Sequence, residues 1–103
     1  MPKLTTIYWR DIPAQVIGQQ GRKRLRQELS QRFAQAIDRA AMRAGRGSSE
    51  AYLEDWRRES EPCGADMQAA LQARVEQLEA AFSDEFLEAT VKAGGLTDKV
   101  KIR

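Results

Sequence analysis

The sequence predicts an α+β fold, a short antiparallel sheet of two or three strands packed on one face by three to four helices. Three observations lead there. The chain opens with a run dense in β-branched and aromatic residues and a Pro-containing turn. Its centre repeats apolar residues at three- and four-residue steps. Its second half is punctuated by Gly pairs and by Ser or Asp residues placed as helix caps. At 103 residues the chain has the size of one domain, 1–103, with one modest core.

Residues 3 to 10, Lys-Leu-Thr-Thr-Ile-Tyr-Trp-Arg, read as the first strand. Asp11-Ile12-Pro13 follows as a turn, because Pro13 has no amide to give a ladder. Ala14 to Gln19 is a shorter apolar run, and so brief a connection implies an antiparallel hairpin, with Gly18 marking a bulge or a close approach. From Arg22 to Ala44, Leu25, Leu29, Phe33, Ala36, Ile37, Ala40 and Ala44 recur on one face and predict a long helix. Gly45 and Gly47 stop it. Ser48 caps a short second helix carrying Tyr52, Leu53 and Trp56, and Glu59 to Gly64 reads as a loop around Pro62. Asp66 caps a third helix with the stripe Met67, Leu71, Val75, Leu78 and Phe82. Leu87 and Val91 fall off that stripe, which places a break near Ser83 and a fourth helix from Asp84 to Ala93, ended by Gly94-Gly95. The alternating tail Lys99 to Arg103 is a plausible third strand, since an isolated hairpin is only marginally stable.

Composition excludes much chemistry. There is no histidine, hence no imidazole base, no Ser-His or Cys-His nucleophile, and with one cysteine no four-ligand zinc site. No metal ligands, catalytic residues or cofactors are expected. The lone Cys63 implies no disulfide framework and fits a reducing compartment. The absence of a long apolar stretch or an apolar leader points away from the membrane and toward the cytoplasm. Residues 1 to 46 carry ten Lys/Arg against three Asp/Glu, a surplus of +7, and residues 47 to 103 carry seven against twelve, a deficit of −5. The simplest expectation is that the halves neutralise each other; the sharper one is a basic surface offered to an anionic partner.

Four constellations are candidates for function. Gly21, Arg22, Lys23, Arg24 and Arg26 put positive charge at the start of the long helix, against the helix dipole, so an acid must meet them. It comes either from within, from Glu59, Glu61 or another acid of the C-terminal half, or from a bound phosphate or carboxylate held by helix-start amides and Arg forks. Arg32, Arg39, Arg43 and Arg46 form a basic stripe on the helix shoulder. Without a nucleic-acid motif this reads as acid-paired side chains covering the core edge, and nucleic acid is an unlikely partner. Cys63 precedes a helix start, which favours a reactive thiolate, but Glu59, Glu61 and Asp66 oppose it. Tyr8-Trp9-Arg10-Asp11 and Asp55-Trp56-Arg57-Arg58 are aromatic–arginine pieces suited to an interface: Tyr8, Trp9, Arg10, Trp56 and Arg57. Strand alternation sends Tyr8 and Trp9 to opposite faces, so at least one lies outside the helix-covered core.

The run Tyr8-Trp9-Arg10-Asp11-Ile12-Pro13-Ala14-Gln15-Val16, with Glu28-Leu29, Arg32-Phe33, Ala36 to Met42, Tyr52-Leu53 and Trp56-Arg57, resembles the small bacterial "virulence factor" domain family. The same domain type occurs within larger conserved virulence factor C proteins. The resemblance covers nearly the whole chain, and the Trp-Arg-Asp-Ile-Pro-Ala-Gln run with its downstream helix is fairly specific. The family name describes a phenotype rather than a reaction, so the resemblance implies an accessory domain and assigns no site.

The expectation is therefore a non-catalytic accessory domain acting through a protein partner or another copy of itself. The alternative is a binder of an anionic ligand, a phosphorylated metabolite or nucleic acid, at the basic cluster.

Overall fold

The computed structural model describes residues 2–46 and 48–100. Four strands, β1 (Lys3–Trp9), β2 (Ile12–Gln20), β3 (Lys23–Glu28) and β4 (Trp56–Pro62), form one antiparallel sheet in the order β3-β2-β1-β4. Helices α1 (Gln31–Arg43) and α2 (Ser49–Glu54) separate β3 from β4, and α3 (Met67–Ala81), α4 (Asp84–Lys92) and a 3-10 turn at Thr97–Lys99 follow. The α+β class and its antiparallel sheet match the sequence reading; the strand number does not, being four rather than two or three.

The two added strands have distinct physical origins. Arg22 to Glu28 does not begin the long helix. Gly21, at φ 59°, and Arg22 make a two-residue turn, after which Lys23 to Glu28 pairs with β2 from Gln20 to Gln15. The four-residue step from Leu25 to Leu29 suggested helix, yet Leu25 faces Gly18 across the ladder and Leu29 begins a new path with its amide on the Ala14 carbonyl at 3.0 Å. As a strand, the basic run escapes the dipole penalty that a helix start would impose. The segment expected as a loop from Glu59, together with Trp56 expected on the second helix, is β4. Its run of charged side chains, Arg57, Arg58, Glu59 and Glu61, and terminal Pro62 suit an edge strand, where one side needs no ladder partner. The first turn is also tighter than expected: only Arg10 and Asp11 lie in it, and Pro13 belongs to β2 beside a bulge at Ala14. Of the expected tail strand, Lys99 ends the 3-10 turn and residues 101–103 lie outside the described residues.

One sheet face is covered. Gly18 presents no side chain to α3: a Cβ there would sit 2.9 Å from Met67 Cγ, so the missing carbon lets α3 close on β2 and on Leu4. The stripe Met67, Leu71, Val75 and Leu78 is buried, and Phe82 meets Phe33 of α1 edge to face at 5.7 Å. Ser83 ends α3 and caps α4, accepting the Phe86 amide at 3.1 Å, as the break in the stripe requires.

Where α1 starts, its first turn has no acid and Ser30 gives no side-chain cap. Glu79 of α3 fills the role from outside. Its carboxylate accepts the Ser30 amide at 2.6 Å, the Ser30 hydroxyl at 2.9 Å and an Arg32 N–H at 3.2 Å, placing negative charge at the positive end of α1. Burial pushes this carboxyl up, but the Ser30 bonds and Arg32 together outweigh it and hold Glu79 below its ordinary value of 4.5.

The β1–β2 turn gathers the chain ends of three elements. Trp9 is fully buried, donates its indole N–H to the Tyr52 carbonyl at 2.9 Å and stacks on the Tyr52 ring. Arg10, with φ 53°, gives its amide to the Asp55 carbonyl and its guanidinium to the Asp55 carboxylate (3.2 Å) and the Gly94 carbonyl (3.0 Å). Asp11 donates its amide to the Gly95 carbonyl and accepts from Thr97 and Arg57. Gly95, at φ 90°, lies flat on Trp9, and a Cβ there would stand 2.8 Å from Cζ3 of the ring.

Three consequences are measurable. Gly95→Ala combines a left-handed backbone with overlap on an immovable ring and lowers stability by about 2 kcal/mol or more. At roughly 4–8 °C per kcal/mol, a melt should drop by ten degrees or so. Asp55→Ala strands two half-buried guanidiniums, Arg10 and Arg46, and costs about 2 kcal/mol. Glu88→Ala, at the exposed Arg39 pair, should cost far less in the same denaturant titration. Because Glu79 is depressed in the fold, its contribution is complete above its unfolded value and is lost as pH falls through its folded one. The gap in melting temperature between wild type and Glu79→Gln should therefore be widest near neutrality and close on acidification below about pH 4; a gap constant from neutrality to pH 2 would refute the assignment.

Candidate functional site

The register sorts the sheet's side chains. Leu4, Thr6 and Tyr8 of β1 share the α3 side with Gly18, Val16, Leu25, Glu59 and Glu61, and Arg74 of α3 reaches across to pair with Glu61. The opposite, outward side carries three rows. Arg24, Gln19 and Lys3 form one; Arg26, Ile17, Thr5 and Ser60 the next; Glu28, Gln15, Ile7 and Arg58 the third. Thr5 and Ser60 hydroxyls bond across this side at 2.9 Å. Arg24, Arg26, Lys3 and Arg58 are exposed, Ile7 and Gln15 half-buried.

Charge pairing divides along the same line. Arg32 pairs with Glu79 and Asp84, Arg39 grips Glu88 through two parallel bonds of 2.8 and 2.7 Å, and Arg46 holds Asp55 and Glu54. Arg43 donates to the Lys92 carbonyl. The helix-shoulder stripe is thus spent on α3, α4 and the end of α2, and the hydrogen bond to Arg39, reinforced by its charge, lowers the Glu88 carboxyl. By contrast Lys3, Arg22, Lys23, Arg24, Arg26 and Arg58 form no ion pair with any described residue. Glu59 and Glu61, the acids expected to answer the basic cluster, are engaged by Arg57 and Arg74 instead.

The sequence-selected residues separate accordingly. Gly21, Arg22, Lys23, Arg24 and Arg26 stay together, but on a hairpin turn and edge strand. The helix-start amides expected to cradle a phosphate are absent from that place, because α1 begins at Gln31. Trp9 has no solvent-accessible surface and Arg10 is committed to Asp55 and Gly94, so this half of the first aromatic–arginine piece builds the fold. Tyr8 lies on the α3 side under Arg57, whose guanidinium stands 4.4 Å from its ring while bonding Asp11 and the Arg10 carbonyl. Burial, then the Glu59 charge, raises the Tyr8 phenol above its usual value. Trp56 remains half-exposed at the start of β4, edge to face with Tyr52. Cys63 is half-buried against the core, its amide on the Pro2 carbonyl at 3.1 Å.

Lys3 and Arg58 were missed. Lys3 stands in no candidate run, and Arg58, though it ends the second aromatic–arginine piece, is not among its interface residues; only strand alternation through β4 brings Arg58 level with Ile7 and Gln15. Among the described residues no three acidic or thiol side chains gather as a metal group, and no helix is long and apolar enough to cross a membrane.

No curated protein and no solved structure matches the chain. A family model described as "Virulence factor" matches residues 7–91, from the middle of β1 almost to the end of α4 and including the Trp9-Arg10-Asp11 turn; the chain belongs to the virulence factor family.

Proposed function

We propose that this domain is a non-catalytic accessory module that works by contact, and that the outward side of its sheet meets an acidic protein partner. The observation that carries the reading is a clustering of charge: Lys3, Arg22, Lys23, Arg24, Arg26 and Arg58, none in an ion pair with a described residue, gather on β1, β3, β4 and the β2–β3 turn, while Lys92 and Lys99 stand apart at the end of α4 and in the 3-10 turn. The described acid on the same rows is Glu28. Desolvating such a surface is unfavourable unless an anion answers it, and complementary charge steers encounter and fixes orientation. Half-buried Ile7, buried Ile17 and the hydroxyl and amide groups of Thr5, Ser60, Gln15 and Gln19 give the mixed apolar and polar ground of a protein interface.

The anionic-ligand reading keeps the same cations but has less support, since the arginines are spread over three rows rather than converging on a cradle. Nucleic acid is less favoured again: Trp56 lies at the margin of the face, and no aromatic ring stands among its basic rows on which bases would stack.

The test uses a labelled Glu-rich peptide and a single-stranded oligonucleotide of equal charge. Peptide binding should weaken steeply with salt, and the triple variant Arg24→Gln, Arg26→Gln, Arg58→Gln should lose at least about tenfold in affinity with an unchanged melt. Indifference to the triple variant, or a preference for the oligonucleotide, would refute the reading.

A further inference from the structure

Adjoining the outward face, and sharing Glu28 and Gln15 of its third row, a cleft of about 490 Å³ opens between the end of the β2–β3 ladder, α1 and α2. Leu29, Ala34, Ile37, Tyr52 and Trp56 line it, a size and apolar character common in binding clefts. Its charged lining residues are both acids, Glu28 and Asp38, and neither forms an ion pair with a described residue. Burial and then the Asp38 charge raise the Tyr52 phenol, which places that carboxylate within electrostatic reach of the cleft wall.

The apolar ground continues past the cleft. Two large hydrophobic side chains stand exposed among the described residues, Met42 (75 %) and Leu53 (66 %). Met42 follows Asp38 by one turn on α1, on the stripe that supplies Gln31, Ala34 and Asp38, and Leu53 adjoins Tyr52 on α2. A small molecule seated in the cleft would leave both in water; a protein segment crossing it would cover them.

We propose that this cleft docks a basic amphipathic segment of a partner protein, its apolar side chains seated against Leu29, Ile37, Tyr52 and Trp56 and its Lys or Arg side chains meeting Glu28 and Asp38. The mode is an apolar anchor in a pocket flanked by charge that sets orientation. The cleft takes cations, whereas Lys3, Arg24, Arg26 and Arg58 of the outward rows take anions, so the domain has two docking surfaces of opposite polarity that meet at Glu28, Gln15 and Trp56.

The probe is a labelled sixteen-residue Leu/Lys peptide with apolar residues at helical spacing, beside a Leu/Glu peptide of the same pattern. The Leu/Lys peptide should bind, shift amide resonances of Leu29, Ile37, Asp38 and Tyr52, and weaken at least about tenfold in Glu28→Gln/Asp38→Asn. Arg24→Gln/Arg26→Gln/Arg58→Gln should leave it no weaker, which separates this site from the basic face. Equal binding of the two peptides, resonance shifts confined elsewhere, or insensitivity to the double variant would overturn the proposal. So would a dimer in sedimentation of the chain alone that Glu28→Gln/Asp38→Asn dissociates, since the occupant would then be a second copy.

Discussion

The structure hangs on the two-residue turn between β1 and β2. Trp9, Arg10 and Asp11 together bind the α2–β4 junction through Tyr52 and Asp55 and the segment after α4 through Gly94, Gly95 and Thr97. Elements more than forty residues apart in sequence are thereby tied to one hairpin end. A buried indole supplies the apolar contact, and two charged side chains satisfy the carbonyls and amides that would otherwise be stranded around it. Arg10 tolerates a left-handed backbone because both ends of its side chain are held, a local strain maintained by its surroundings. The Trp-Arg-Asp sequence, which lies within the span matched to the family, is thus a structural clasp, and its conspicuous aromatic and arginine are spent on the fold.

Electrostatics follow from how the halves of the chain meet. The basic first half and acidic second half neutralise one another where α1 runs alongside α3 and α4, and again at the α2–β4 junction, where Arg10 and Arg46 meet Asp55. Arg32 and Arg39 find acids across the helix interface, and Glu79 returns the exchange by completing the start of α1. Lys3, Arg24, Arg26 and Arg58 look the other way. Since α3 holds Glu61 through Arg74, and Arg57 takes Glu59, no described acid of the second half forms an ion pair with the outward rows. A surface that folding leaves positively charged is the physical basis for assigning it to an acidic partner.

Much of the local structure was legible. The third-helix stripe, its break at Ser83, the Ser48 and Asp66 caps and the glycine stop after α4 follow from periodicity and capping chemistry that operate within a few residues. The basic cluster was legible as residues but not as geometry. Leu25, Leu29 and Phe33 satisfy a helical step, whereas Lys23, Leu25 and Gln27 alternate as a strand does, and local pattern could not choose between them. Arg57-Arg58-Glu59-Ser60-Glu61 resembles a solvated loop because an edge strand and a loop expose similar side chains.

By itself the sequence determined the α+β class, the helices of the second half, the absence of imidazole chemistry and the family, because these depend on composition and short-range spacing. Only the tertiary structure decided that β2 takes Lys23–Glu28 as its outer neighbour and β1 takes Trp56–Pro62. It also decided that Trp9 is enclosed and that Lys3 and Arg58 join Arg24 and Arg26 on one face. Strand pairing is a long-range choice, made by which ladder partners and which helix-facing side chains satisfy the whole sheet at once, and no window of neighbouring residues contains that information.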